Sequence, residues 1–262
     1  MEAGSGRMTD PALSVCGVRA GYAQRVVLHD IDIVVARGEW VALLGANGSG
    51  KSSLLDCCVG RLAPVAGDVR VAGCSMIADP IAAKRRLGYA IAPERLPTLL
   101  TVRQCLNVQA AAKQLDAIDR DVFDLADALR LSSRLDDAIE QLSYGTRQKL
   151  GVVLALVGAP DLIVMDETFN GLDPASSLVL KRSLRERVDQ QRTGVLLATH
   201  ALDIATHWTD RVVMLHEGRV LHEWSRGELD GLRDDREAGL EAAMAARIAI
   251  AERAPDPVIL PR

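Results

Sequence analysis

The 262-residue sequence predicts an α/β fold in which a parallel sheet wrapped by helices is joined to an N-terminal antiparallel β unit and carries an inserted helical lobe. Three features indicate it. Residues 162–165 and 195–199 are continuous apolar runs, as in strands buried on both faces of a parallel sheet. A helical stretch, 174–190, lies between them, so strand, helix and strand follow at the spacing of a right-handed crossover. Residues 12–36 instead alternate apolar and polar positions, the pattern of a half-buried antiparallel pair.

Taken in order, strands are expected at 13–19 and 26–35 with a turn around Gly21. The apolar run 40–44 ends in a glycine-rich turn, and 52–59 then reads as a helix. Short strands follow at 69–72 and 88–91. Thr101 and Gln104 form a capping box that opens a helix. Val122, Leu125, Ala126 and Leu129 repeat at helical spacing, so 96–159 reads as a mostly helical lobe. Residues 211–215 and 219–223, with Gly218 between, suggest a closing hairpin. A second capping box, Ser225 with Glu228, opens a polar helical tail that ends in the Pro-rich stretch 254–262.

Composition narrows the function classes. Apolar residues make up 48% and charged residues 25%, the balance of a globular and not a disordered chain. A net charge of -4 offers no basic face for nucleic acid, and 3% aromatics offers little surface for base stacking. The five cysteines form no CxxC pair, which argues against a zinc site and a disulfide framework. Residues 1–7 lack an apolar stretch, so no secretory leader is expected there. The longest near-apolar run, 150–159, is about half of the ~20 residues a membrane helix needs.

Gly45-Ala46-Asn47-Gly48-Ser49-Gly50-Lys51-Ser52 fits G-x-x-x-x-G-K-[ST] and sits after a strand and before a helix, where that motif belongs. Glycines let the backbone wrap so that successive N–H groups face a phosphate, and the following helix adds its positive end. Lys51 would supply a point charge to the β- and γ-phosphates, and Ser52 a hydroxyl ligand for Mg2+. Gly45, Asn47, Gly48, Ser49, Gly50, Lys51, Ser52 and Ser53 are therefore the expected nucleotide-binding residues. Asp166 and Glu167 end the strand at 162–165, at the sheet edge where ligands of open α/β sheets bind. Asp166 is placed to hold the metal and Glu167 to polarise an attacking water. The expected class is a P-loop NTPase with a RecA-like catalytic lobe.

Leu142-Ser143-Tyr144-Gly145-Thr146-Arg147-Gln148-Lys149-Leu150 adds a further motif shortly before that strand. With it, the sequence resembles the ATP-binding cassette (ABC) ATPases, whose signature is usually Leu-Ser-Gly-Gly-Gln. The resemblance spans 12–230, with 96–159 as a helical lobe inside it and 231–262 as a C-terminal tail. It implies ATP and Mg2+ as ligands. It also implies that Ser143, Tyr144, Gly145 and Thr146 act on the nucleotide of a second subunit, although a serine before a helix is also a plain cap. Tyr22 resembles the aromatic that stacks on adenine, a core or turn tyrosine being the other reading. Glu94 stands where the family usually has glutamine; it could coordinate Mg2+ with Ser52 and Asp166, or be a surface residue paired with Arg95. Asn170-Gly171-Leu172-Asp173 matches a dimer-contacting loop, and Asp173-Pro174 is also an ordinary helix start. His200 resembles the switch histidine at the γ-phosphate, which with Glu167 and Lys51 completes the expected catalytic set.

Three departures are visible: Tyr144 in place of a signature glycine, Thr168 where proline is common, and Glu94 for glutamine. None removes an obligatory catalytic group. The Ser-x-Gly-x-Arg-Gln-Lys form resembles exporter signatures. The resemblance implies a homodimer or a pairing with a related cassette, with no nucleic acid partner. It also implies docking on an integral membrane permease at the cytoplasmic face, in a groove between the two lobes. The alternative is a soluble cassette of the iron–sulfur cluster assembly type, which copurification with membrane proteins would separate. Translation-type members carry two cassettes and repair-type members a long coiled coil, neither of which these 262 residues hold. A non-hydrolysing regulatory cassette is disfavoured by the intact Glu167.

Overall fold

The computed structural model describes residues 10–23, 25–234 and 239–253; the expected Pro-rich stretch 254–262 lies outside them. The chain begins β1 (Leu13–Tyr22), β2 (Arg25–Val35), β3 (Trp40–Leu44), α1 (Lys51–Cys58), β4 (Ala66–Val71) and β5 (Cys74–Ser75). It continues α2 (Pro80–Arg85), β6 (Leu87–Tyr89), α3 (Val102–Ala112), α4 (Arg120–Ala128), α5 (Tyr144–Leu156) and β7 (Leu162–Asp166). It ends α6 (Pro174–Gln191), β8 (Gly194–Ala198), α7 (Leu202–Trp208), β9 (Arg211–His216), β10 (Arg219–Ser225), α8 (Arg226–Asp234) and α9 (Leu240–Arg253).

Two sheets result. The antiparallel sheet has order β2-β1-β4-β5, with Leu13 opposite Val35 in the first hairpin. The second has order β10-β9-β3-β8-β7-β6 and is parallel except for β10. Its strands show why the apolar runs do not alternate. On β7, Leu162 and Val164 face a core shared with α1 and the antiparallel sheet, while Ile163 and Met165 face a core shared with α3 to α6. Both faces are dry, so every position is apolar.

Local signals place the helices. Gln104 N donates to Thr101 Oγ1 at 3.2 Å and Thr101 N to Gln104 Oε1 at 2.9 Å, the expected reciprocal box. Val122, Leu125, Ala126 and Leu129 are all buried, as their spacing requires. The sequence reading passed over α2 and β5. The start of α2 was nevertheless written in its cap: Asp79 accepts from Ala82 N at 3.1 Å and Pro80 occupies the first turn. The second capping box forms only in half. Ser225 N donates to Glu228 Oε2 at 2.8 Å, but the Ser225 hydroxyl donates to that same carboxylate and caps no backbone N–H. The tail is less polar than expected, because α9 buries Leu240 and lays Met244 and Ile248 on a small core with β9, β10, α7 and α8.

Two glycines set how closely α5 approaches the sheet. A Cβ on Gly151 would lie 2.0 Å from Ile91 O, and one on Gly88 would lie 2.0 Å from Ala155 O. Neither neighbour can yield, since both are backbone. Gly151→Ala is expected to lower stability by about 1–3 kcal/mol through overpacking. A urea titration checks this as a reduced midpoint at unchanged slope.

Candidate nucleotide-binding site

The strand order brings three loops to one edge. β8 lies between β3 and β7, so the loops leaving their carboxyl ends carry Gly45–Ser52, His200 and Asp166 with Glu167 side by side. Leu43 and Asp166 both register against Ala198, which puts the three exits at one level. This is the topological place for a ligand.

The loop after β3 is built for close backbone approach. Gly50, the N-cap of α1, has φ +106°. Gly45 has φ +155°, and a Cβ there would lie 2.4 Å from Leu215 O. Ser49 N donates to Ala46 O at 3.1 Å and Ser49 O accepts from Gly218 N at 2.9 Å, which anchors the loop to the turn after β9. Lys51 is nine-tenths buried and folds back along the loop, donating to Gly45 O at 2.7 Å and Ala46 O at 3.2 Å.

A cavity of about 240 Å³ opens above it. Of the residues expected from sequence, Asn47, Gly48, Gly50, Lys51, Ser52, Ser53, Asp166 and Glu167 line it. Val27 lines it too. Gly45 and Ser49 do not line it, and the Ser49 Oγ is buried without a hydrogen-bond partner among the described residues.

The acidic side is ordered. Ser52 Oγ donates to Asp166 Oδ2 at 3.2 Å. Burial raises the Asp166 carboxyl above its ordinary pKa, the Ser52 hydroxyl opposes this, and the charge of Glu167 adds to it. Glu167 has φ +47°, in the left-handed region that residues other than glycine rarely adopt. Its Oε2 lies 3.0 Å from His200 Nδ1 and accepts from Asn170 Nδ2 at 3.3 Å. Ser52 and Asp166 suit Mg2+: a hydroxyl and a carboxylate converge within hydrogen-bond distance on the cavity wall. Among the described residues no cluster of three or more His, Cys, Asp and Glu forms a cage.

Three expected residues stand off the cavity wall. The Tyr22 ring is half-exposed at the end of β1, its hydroxyl 3.5 Å from Asp56 Oδ2 on α1, so it is no core tyrosine. His200 reaches the site through Glu167. Glu94 lies in a short 3-10 turn beside Tyr144; burial, then the negative charge of Glu94, push the Tyr144 phenol pKa up.

Residues 143–146 do not line the cavity either. Ser143 caps α5, accepting from Thr146 N at 3.3 Å, and its hydroxyl lies 2.8 Å from Thr146 Oγ1. The cap reading therefore holds. Tyr144 is 55% exposed, with its ring packed toward Gly171.

Sequence reasoning missed the framework behind this segment. Arg147 donates to the carbonyls of Ile139, Leu142 and Glu140 at 2.9–3.1 Å. Gln148 Nε2 donates to Thr168 O at 3.0 Å, and Lys149 Nζ donates to Asp173 Oδ2 at 2.9 Å. Asp173 also caps α6. Its carboxyl is held far below the usual range by Ser176, through side chain and backbone, and then by Lys149. The run Arg-Gln-Lys was the available signal, since three long polar residues on an otherwise apolar helix need partners. For Val27 there was none.

Fold and site together define a phosphate-loop nucleoside triphosphatase. The ABC transporter family profile matches residues 28–170. The Nod factor export ATP-binding protein I of Bradyrhizobium diazoefficiens is 32% identical over 233 residues, covering 87% of this chain and 74% of that protein. An uncharacterized ABC transporter ATP-binding protein of Bacillus subtilis is 30% identical over 219 residues, covering 83% and 70%. A solved ATP-binding subunit of an ABC transporter superposes with a TM-score of 0.81 at 30% identity, covering 90% of this chain and 99% of that one. The chain belongs to the ABC transporter family, as an ATP-binding subunit with the family's ATPase activity.

Proposed function

We propose that this chain drives export through a separate membrane permease by closing with a second cassette around ATP. The observation that carries the reading is a division of labour. The phosphate loop and Glu167 share one cavity, while Ser143, Gly145 and Thr146 stand at a helix start outside it. A helix N-terminus presented outward suits the phosphate of another molecule's nucleotide. In this reading the permease is a separate partner at whose cytoplasmic face the chain works; among the described residues no helix is long and apolar enough to cross a membrane. The relatives named for export, and the Ser-x-Gly-x-Arg-Gln-Lys signature, support the outward direction.

In this reading Lys51 and the loop N–H groups hold the β- and γ-phosphates, and Tyr22 takes the adenine face. Ser52 and Asp166 hold Mg2+, which when bound neutralises charge on the phosphate oxygens. Glu94, now beside Tyr144, would join them only by turning toward the cavity. Glu167 accepts the proton of the attacking water, and His200, fixed by its contact to Glu167, turns its other ring nitrogen to the γ-phosphate. The partner cassette's signature closes the site. Loss of the γ-phosphate removes the charge that both subunits share, and the pair opens.

Ser143→Arg is the test. It blocks the signature without touching the chain's own cavity. Hydrolysis is expected to fall by about 100-fold or more, the scale of losing a transition-state contact, with ATP binding to the isolated chain unchanged. Equal loss of both, read by calorimetry and phosphate release, would show the signature acting within its own subunit.

A further inference from the structure

A second cavity, of about 870 Å³, shares Val27, Asn47 and Gly48 with the phosphate cavity and lies between the phosphate loop, β2 and the β9–β10 turn. The turn builds it. Glu217 and Gly218 have φ of +46° and +72°, which folds β9 back onto β10 in a two-residue hairpin. His216 and Arg219 consequently face each other as the last cross-strand pair. His29 N donates to Gly218 O at 2.8 Å, which seats β2 against the turn and brings Arg25 and His29 to the same cavity.

The lining is divided in chemistry. Arg25, His29, His216 and Arg219 bring two guanidinium forks and two imidazoles, and none of these side chains makes a hydrogen bond or ion pair among the described residues. Glu217 is the one carboxylate among the lining residues, so the guanidinium groups outnumber it. Asp30, next to His29 on β2, is already held by Arg19 at 2.6 and 2.8 Å. Val26, Val220, Leu221 and Ala251 form the apolar part, the last of them from α9.

Ser49 gives an independent sign of a ligand. It is 5% exposed, it lines this cavity, and its Oγ has no hydrogen-bond partner among the described residues. A buried hydroxyl left unpaired costs free energy that an arriving acceptor recovers. Arg219 opposite His216 is a like-charge pair whenever the imidazole is protonated, and an anion between them removes that repulsion.

We infer that this cavity binds a small amphiphilic phosphate, a phosphomonoester head on a compact apolar body, at a site separate from that of ATP. The dianionic head has three terminal oxygens for the two guanidinium forks, the imidazoles and Ser49 Oγ. The apolar body covers Val26, Val220 and Leu221. The two cavities share a wall, so two anions side by side repel across it. The ligand therefore weakens ATP binding, and ATP weakens the binding of the ligand by the same factor. None of this depends on the transporter reading.

The probe is octyl phosphate below its micelle concentration, titrated calorimetrically into the full chain at low salt. It is expected to bind about tenfold tighter than inorganic phosphate, which lacks the body, or octyl glucoside, which lacks the charge. Arg25→Gln with Arg219→Gln should remove the preference over octyl glucoside and leave turnover at saturating ATP unchanged. Val26→Ser should narrow only the preference over inorganic phosphate. Lys51→Ala disables the phosphate cavity and should bind octyl phosphate as the wild type does. Saturating octyl phosphate should weaken ATP affinity by about two- to fivefold, less at high salt. Equal binding of octyl glucoside, or a phosphate preference that survives loss of both arginines, overturns the inference. So does loss of the probe in Lys51→Ala, which would show that it had merely entered the phosphate loop. Binding to phosphatidic acid vesicles without binding of the monomeric probe also overturns it, and reassigns the cations to a membrane surface. An ATP affinity that does not move overturns the coupling through the shared wall.

Discussion

Glu167→Gln is expected to bind ATP, lose turnover by a factor of about 10²–10⁴, and accumulate as a closed dimer. The amide keeps the shape of the side chain and its contacts, so Asn170 and His200 retain a partner within 3.3 Å. What it loses is the capacity to accept the proton of the attacking water. Binding and closure precede that step, and the variant should therefore stall after both. Sizing chromatography with ATP and Mg2+ reads the dimer, and phosphate release reads the turnover. A variant that stays monomeric at every ATP concentration would refute the shared-nucleotide mechanism. One that still hydrolyses at the wild-type rate would take the base role away from Glu167.

Lys51→Ala is expected to weaken ATP affinity by about 2–3 kcal/mol, about 30- to 150-fold, the scale of one charge-assisted contact. The ammonium now donates to Gly45 O and Ala46 O. It is thus held at the loop before any phosphate arrives, and its loss has two consequences. Two loop carbonyls lose a donor, and the phosphates lose the nearest positive charge. Lys51→Met separates them, because it restores bulk without charge: if affinity returns with methionine, the lysine is a spacer. Titration calorimetry of each variant at fixed salt decides this, and fold can be monitored by circular dichroism.

Much of the architecture was legible before any coordinates. The apolar runs of β7 and β8 had to be strands buried on both faces, and the glycine-rich turn after β3 could hardly be anything but a phosphate cradle. Local rules were enough because each signal lies within about ten residues: a period, a cap, a glycine spacing. α2 and β5 escaped because they are very short, six and two residues, and short segments carry little periodicity. The second capping box was misjudged for a related reason. The Ser225–Glu228 pair is real, but its hydroxyl donates to the carboxylate in place of capping the helix.

What the sequence determined by itself was the set of chemical groups: the lysine, serine and glycines of the loop, the two acids, the histidine, and the signature. Those are properties of adjacent residues, and adjacency is what a sequence records. Only the tertiary structure decided which of them meet. Strand order placed β8 between β3 and β7, and so brought His200 onto Glu167 across a gap of 33 positions in the chain. The same packing put Glu94 beside Tyr144 and left the Lys113 Nζ buried with no hydrogen-bond partner among the described residues. Such encounters depend on how two cores settle on opposite faces of one sheet, and no local pattern encodes that.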